Sequence, residues 1–202
     1  MKKLQVYFFI EELNNINILI LKKLKNVSLI YRNYSKTNYL ERAKEIKQFS
    51  RERNFNLFIS NDLILANKVG AQGIYIPSFN KNLKYINNQI SKKLLVVGSA
   101  HSVSEIYFKI KQGCKIIILS PIFATSSHPD RKKLGISKFI YLHNKFKKKV
   151  NIIALGGINE DNINKLQLLY ISGFALKSFL NSMPNRKVLS FLNLIAGSKL
   201  IR

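Results

Sequence analysis

Eight short apolar runs recur along the chain, each followed by polar or helix-patterned sequence, and this alternation limits the fold more than any other feature. The runs are QVYFFI (5–10), VSLIYR (27–32), NLFIS (56–60), GIYIP (73–77), LLVVGS (94–99), KIIILS (115–120), NIIALG (151–156) and SGFALK (172–177). Several are apolar almost without interruption, as parallel strands covered on both faces are. Between them, TNYLERAKEIKQFSRERN, SVSEIYFKIKQG, ISKFIYLHNKFKKK and NEDNINKLQLLYIS space apolar residues three and four apart, which suits helices laid on the outside of a sheet. The segment after the fourth run has the weakest helical pattern. Strand–helix repetition with no intervening linker predicts an α/β fold. Eight such units in 202 residues predict a compact (β/α)8 TIM barrel, with residues 1–202 forming a single domain. A doubly wound open sheet is the alternative, and the lack of G-x-G-x-x-G after the first strand counts against it.

Composition agrees with a packed domain, since 47% of residues are hydrophobic, and a disordered chain is excluded. Lysines interrupt even the richest apolar run, INILILKKLKNV, well short of the ~18 residues a membrane span requires. The opening MKKLQVYFFIEEL reads as a first strand, because acids follow where a signal peptide would continue its apolar core. A cytoplasmic protein without a membrane partner is expected. The single cysteine, Cys114, rules out a disulfide framework and is expected to be a buried small residue. Net charge is +24, carried mostly by lysines spread over predicted helix surfaces with no nucleic-acid motif among them. Compositional drift toward Lys, Asn and Ile accounts for it, and nucleic acid is not an expected partner. Oligomeric state is not legible at this level.

In a (β/α)8 barrel the residues that matter follow each strand, because those loops meet at one face. Here the strand ends offer Arg32, SND (60–62), PSFN (77–80), SAHS (99–102), SPIFATSSH (120–128), GGIN (156–159) and KSF (177–179), with the first strand contributing little. Hydroxyls, amides, cations and glycines of this kind are ligands for phosphate. Gly156 and Gly157 let the backbone approach a phosphate and present N–H groups, and Lys177 with Ser178 begins what reads as a short helix.

The stretches SNDLILANKVGAQGIYIP, VVGSAHSVSEI, IIILSPIFATSSH, IIALGGINEDNI and GFALKSFL resemble successive segments of the thiamine phosphate synthase/TenI family, in order and spacing, over roughly residues 28–180. That resemblance implies a (β/α)8 barrel. It also implies either a synthase that joins a pyrimidine methyl diphosphate to a thiazole phosphate and releases pyrophosphate with Mg²⁺, or a metal-independent thiazole tautomerase. For the synthase branch it implies that Arg32, Asn61, Ser99, Thr125 and Ser127 grip the diphosphate, that Asp62 holds Mg²⁺, and that Gly157 with Ser178 seats the thiazole phosphate. The family's second acidic position falls on Asn80, and two lysine positions fall on Tyr34 and His128. Lys132, Lys133 and Lys177 are cations near enough in sequence to compensate. His101 occupies a position that both branches fill with histidine, where an imidazole titrating near neutrality suits proton transfer. His101 and Arg32 are therefore the candidate catalytic residues. His143 falls in a predicted outer helix and is expected at the surface. A synthase, a tautomerase and a non-catalytic binder of a phosphorylated ligand all stay open.

Overall fold

The computed structural model describes residues 5–33, 35, 38–83, 93–125, 132–167, 171–177 and 191. Strands β1 (Gln5–Ile10), β2 (Val27–Tyr31), β3 (Asn56–Ser60), β4 (Gly73–Ile76), β5 (Leu95–Ala100), β6 (Ile116–Leu119), β7 (Asn151–Leu155) and β8 (Gly173–Leu176) fall on the eight apolar runs. The described helices are α1 (Asn15–Leu21), α2 (Tyr39–Glu52), α3 (Leu63–Lys68), α4 (Val103–Lys111), α5 (Ile136–Phe146) and α6 (Ile163–Gln167). Each strand pairs in parallel with the next, and β8 pairs with β1, so the sheet closes. The open-sheet alternative is thereby excluded. The expected helix after the fourth strand, and the one expected to begin near Ser178, lie outside the described residues.

Alternation along each strand feeds two separate cores. Tyr7, Phe9, Ile30, Phe58, Tyr75, Val97, Ile116, Ile118, Ile153 and Ala175 pack together inside the barrel. Their sequence neighbours, such as Phe8, Leu29, Leu57, Ile74, Val96, Ile117 and Ile152, face the helices and merge into one larger outer core. Continuous apolar sequence is what a strand with no wet face requires. Helix α2 adds Ala43, Ile46 and Phe49 to the outer layer, and α5 adds Phe139, Leu142 and Phe146. Each buried Leu, Ile or Phe contributes about 1.5–3 kcal/mol, so most of the stability resides in that outer layer. Among the described residues no helix is long and apolar enough to cross a membrane.

Short polar side chains set the starts of α1, α3 and α4. Asp62 accepts from the Leu65 N–H at 2.8 Å and opens α3, and Ser102 accepts from the Glu105 N–H at 3.2 Å and opens α4. Both caps directly follow strands, so they also fix the backbone of the barrel's C-terminal mouth.

Candidate active site

Arg32 continues the β2 ladder by one bond, its N–H reaching the Ile10 carbonyl at 2.9 Å. Two residues past Ile30, it falls on the lumen side, and its guanidinium lies 5.0 Å from the centre of the Phe9 ring. Phe9 in turn meets Tyr75 edge to face, with ring centres 5.3 Å apart. An aromatic face beneath a guanidinium holds it electrostatically, and the planar N–H fork of that group matches oxyanions. The first strand thus contributes more than expected, since Phe9 carries the platform. Ser99, two residues past Val97 on β5, lies on the same inner face and is buried.

Asn61 adopts a left-handed backbone, φ +59°, which an asparagine tolerates. Its N–H bonds the Tyr75 carbonyl at 2.8 Å, and its side-chain oxygen accepts from the Asn80 amide. The loops after β3 and β4 are therefore tied together by the two amides. Asp62 follows at once. One of its oxygens is occupied in capping α3, and among the described residues no cluster of three or more His, Cys, Asp or Glu surrounds it. Mg²⁺ is commonly held by one or two carboxylates together with substrate phosphate and water, so a single carboxylate is a sufficient protein share.

His101 is held on two sides. Its N–H donates to Glu105 Oε2 at 2.8 Å, and its ring Nδ1 sits 2.8 Å from the Ser120 carbonyl and 3.1 Å from the Ser120 hydroxyl. A carbonyl only accepts, so this contact calls for the tautomer with the proton on Nδ1. Ser120 had no role in the sequence reading beyond its place at the sixth strand end. Its position after β6 on the lumen side was the available signal.

The loop after β6 lies directly on the turn after β7. Ile122 and Phe123 donate to the Leu155 and Gly156 carbonyls at 2.9 and 3.0 Å. Gly157 has φ +65°, and a Cβ there would stand 2.1 Å from the Ala124 carbonyl oxygen. The pair of glycines thus serves loop packing as well as any phosphate. Thr125 is half-buried at the end of the described part of this loop. Asn162 closes the turn on its far side, donating to the Gly157 carbonyl at 2.7 Å. Lys177 is exposed at the end of β8, and Lys132 and Lys133 are exposed before α5. Tyr34, Ser127, His128 and Ser178 lie outside the described residues.

Two other candidates stay apart from the mouth. Cys114 is buried, and burial pushes its thiol up to about 12, which leaves it a neutral packing group. His143, expected at the surface, is half-buried on α5 beside Phe139, their ring centres 6.2 Å apart. Burial, then the Lys147 charge, lowers its pKa.

The thiamine monophosphate synthase family model matches residues 11–180, a stretch that runs from just after β1 through β8. The chain belongs to that family. It is 28% identical over 152 residues to the thiamine-phosphate synthase of Clostridium tetani, covering 75% of this chain and 72% of that one. It is 33% identical over 137 residues to a thiamine-phosphate synthase of Prochlorococcus marinus, where the match takes in 66% of this chain and 38% of the relative. The solved thiamine phosphate pyrophosphorylase from Pyrococcus furiosus superposes with a TM-score of 0.75 at 18% identity, covering 98% of this chain and 96% of that one. At that identity the superposition establishes the fold alone. Within the thiamine monophosphate synthase family, both of these curated relatives carry the synthase name, which favours the first of the three readings.

Proposed function

We propose that this family member is a cytoplasmic thiamine-phosphate synthase, acting on small phosphorylated pyrimidine and thiazole substrates. In the reaction the bond between the pyrimidine methylene and the diphosphate oxygen breaks, and its electron pair leaves with the diphosphate. The thiazole nitrogen then supplies the pair for the new carbon–nitrogen bond. The barrier lies in the charge that gathers on the leaving diphosphate, so prepositioned donors there count most.

The observation that carries the reading is Arg32, poised over Phe9 at the mouth of a barrel whose family is that of the synthases. From the ends of other strands, Asn61, Ser99 and Thr125 supply neutral donors to the diphosphate, and the family resemblance assigns Ser127 and His128 to it as well. Gly157, Lys177 and Ser178 receive the thiazole phosphate. His101, its Nδ1 proton committed to Ser120, offers Nε2 to the substrate. Asp62 would hold Mg²⁺, which would supply positive charge against the leaving diphosphate. Nucleic acid has no part in this reading.

Arg32→Ala tests the assignment. Loss of a prepositioned charge at a leaving group costs on the order of 100-fold in turnover, measured as pyrophosphate release. Undiminished turnover in that variant would remove Arg32 from the site.

A further inference from the structure

Helix α4 and its C-cap residue, Gln112, send two buried polar side chains toward the loop after β4, and the reaction as proposed uses neither. The Lys109 ammonium is fully buried and donates to the Pro77 carbonyl at 2.7 Å, the Asn80 carbonyl at 2.9 Å and the Gln112 side-chain oxygen at 2.7 Å. Gln112, also fully buried, turns its amide to the Asn80 carbonyl at 3.1 Å and the Asn82 carbonyl at 2.8 Å. Three carbonyls of one loop are thus taken by two side chains of a neighbouring helix. The same loop carries the Asn80 amide that donates to Asn61.

The lysine is built into the packing. On the outer face of β5, a Cβ at Gly98 would stand 2.9 Å from Lys109 Cδ and 2.7 Å from Cys114 Sγ, so the glycine makes room for the lysine stem. Filling that space with methionine would have avoided desolvating a charge. All three acceptors of the ammonium are neutral. The charged and titratable groups around it are Cys114, Lys81 and Glu105. Glu105 faces Lys81 at 3.9 Å and accepts from the His101 N–H, while the Cys114 thiol stays neutral. The ammonium is therefore matched in donor count, three N–H groups to three oxygens, rather than neutralised by an anion.

We propose that Lys109 is a positioning residue: its three-way clamp on the loop after β4 holds Asn80, and through it Asn61, in place at the diphosphate end of the site. The consequence for catalysis rests on the synthase reading; the clamp itself does not. Burial pushes the ammonium down to about 8. Below that pH it has three donors for three acceptors. Above it, a neutral amine keeps two and turns a lone pair toward an oxygen, so the clamp is proton-dependent.

The test compares wild type, Lys109→Met and Gln112→Leu at pH 7 and pH 9.5, using three measurements. Amide hydrogen exchange is followed in residues 78–82, inorganic pyrophosphate affinity is measured with Mg²⁺, and KM is determined for each substrate. At pH 7, Lys109→Met is expected to speed exchange in 78–82, weaken pyrophosphate binding and raise the diphosphate substrate's KM by about 10-fold each, as a slightly misplaced binding group does, with the thiazole phosphate KM unchanged. Wild type should approach the variant's values at pH 9.5 after correction for intrinsic exchange. Exchange that responds in a protein showing no turnover upholds the clamp and counts against the synthase reading alone. Exchange and pyrophosphate affinity that stay at wild-type values in folded Lys109→Met overturn the clamp. Should that variant not fold, Gln112→Leu and the wild-type pH series decide on the same readouts, and unchanged exchange in both overturns it.

Discussion

At Gly157 the backbone has φ +65° and the space a side chain would need is held by the Ala124 carbonyl. Gly157→Ala therefore combines a left-handed alanine with a backbone clash, and a loss of at least ~2 kcal/mol is expected in a urea melt. A change within error would show that the loops after β6 and β7 adjust freely. Cys114 gives a second residue-scale expectation, because its thiol is buried and pushed up to about 12. A thiol reagent at pH 8 should leave the native protein unmodified and label one thiol per chain after unfolding; rapid labelling of native protein would contradict its packing. Individual side chains were the least legible part of the sequence. Arg32, Asn61, Ser99 and Thr125 could be named from the resemblance and from their places after strands. The pairing of Asn61 with Asn80 could not, since it joins residues 19 positions apart across two loops. Asp62, which the resemblance offers as a metal ligand, caps α3 in the structure, and the metal role belongs to the proposal.

Among the secondary-structure elements, the strands were the easiest to read. Burial on both faces leaves a strand almost no polar residue, so apolar runs marked all eight to within a residue or two at each end. Helix α4 was read correctly as a helix, yet the role of one of its residues was missed. Lys109 sits three residues after Ile106, on the stripe that faces the sheet, where lysine conflicts with the pattern. That conflict was the available signal. It also sets the sign of a pH effect. Because burial lowers Lys109 from 10.5 to about 8, the unfolded chain holds this proton across pH 8–10 while the folded protein has released it. The group's contribution to stability therefore rises with pH in that window, and its burial cost is present in full below pH 8. Urea melts at pH 7, 8, 9 and 10 should show wild type gaining stability relative to Lys109→Met as pH rises, while the clamp loosens. A constant difference between the two proteins would contradict the depressed pKa.

Across the whole molecule, barrel closure brings loops from distant parts of the sequence to one mouth, where Arg32, Asn61, Ser99, His101 and Gly157 all follow or end strands. The charge of +24 is found at both ends of the barrel. Among the described residues, Arg32, Lys81, Lys132, Lys133 and Lys177 follow strands, as do Glu11, Glu12, Asp62, Glu160 and Asp161, while Lys22, Lys23, Lys25, Lys147, Lys148 and Lys149 lie in turns that lead into strands. Lys68, Lys111 and Lys145 stand in the last turns of α3, α4 and α5, where a cation complements the helix dipole. In the proposed function, the mouth of this barrel makes thiamine phosphate. The most direct measurement incubates the purified protein with the pyrimidine methyl diphosphate, the thiazole phosphate and Mg²⁺, and quantifies both products. Thiamine phosphate and pyrophosphate are expected in equal amounts, with neither formed when either substrate is left out. Folded protein that binds pyrophosphate yet forms no thiamine phosphate would contradict the proposed function.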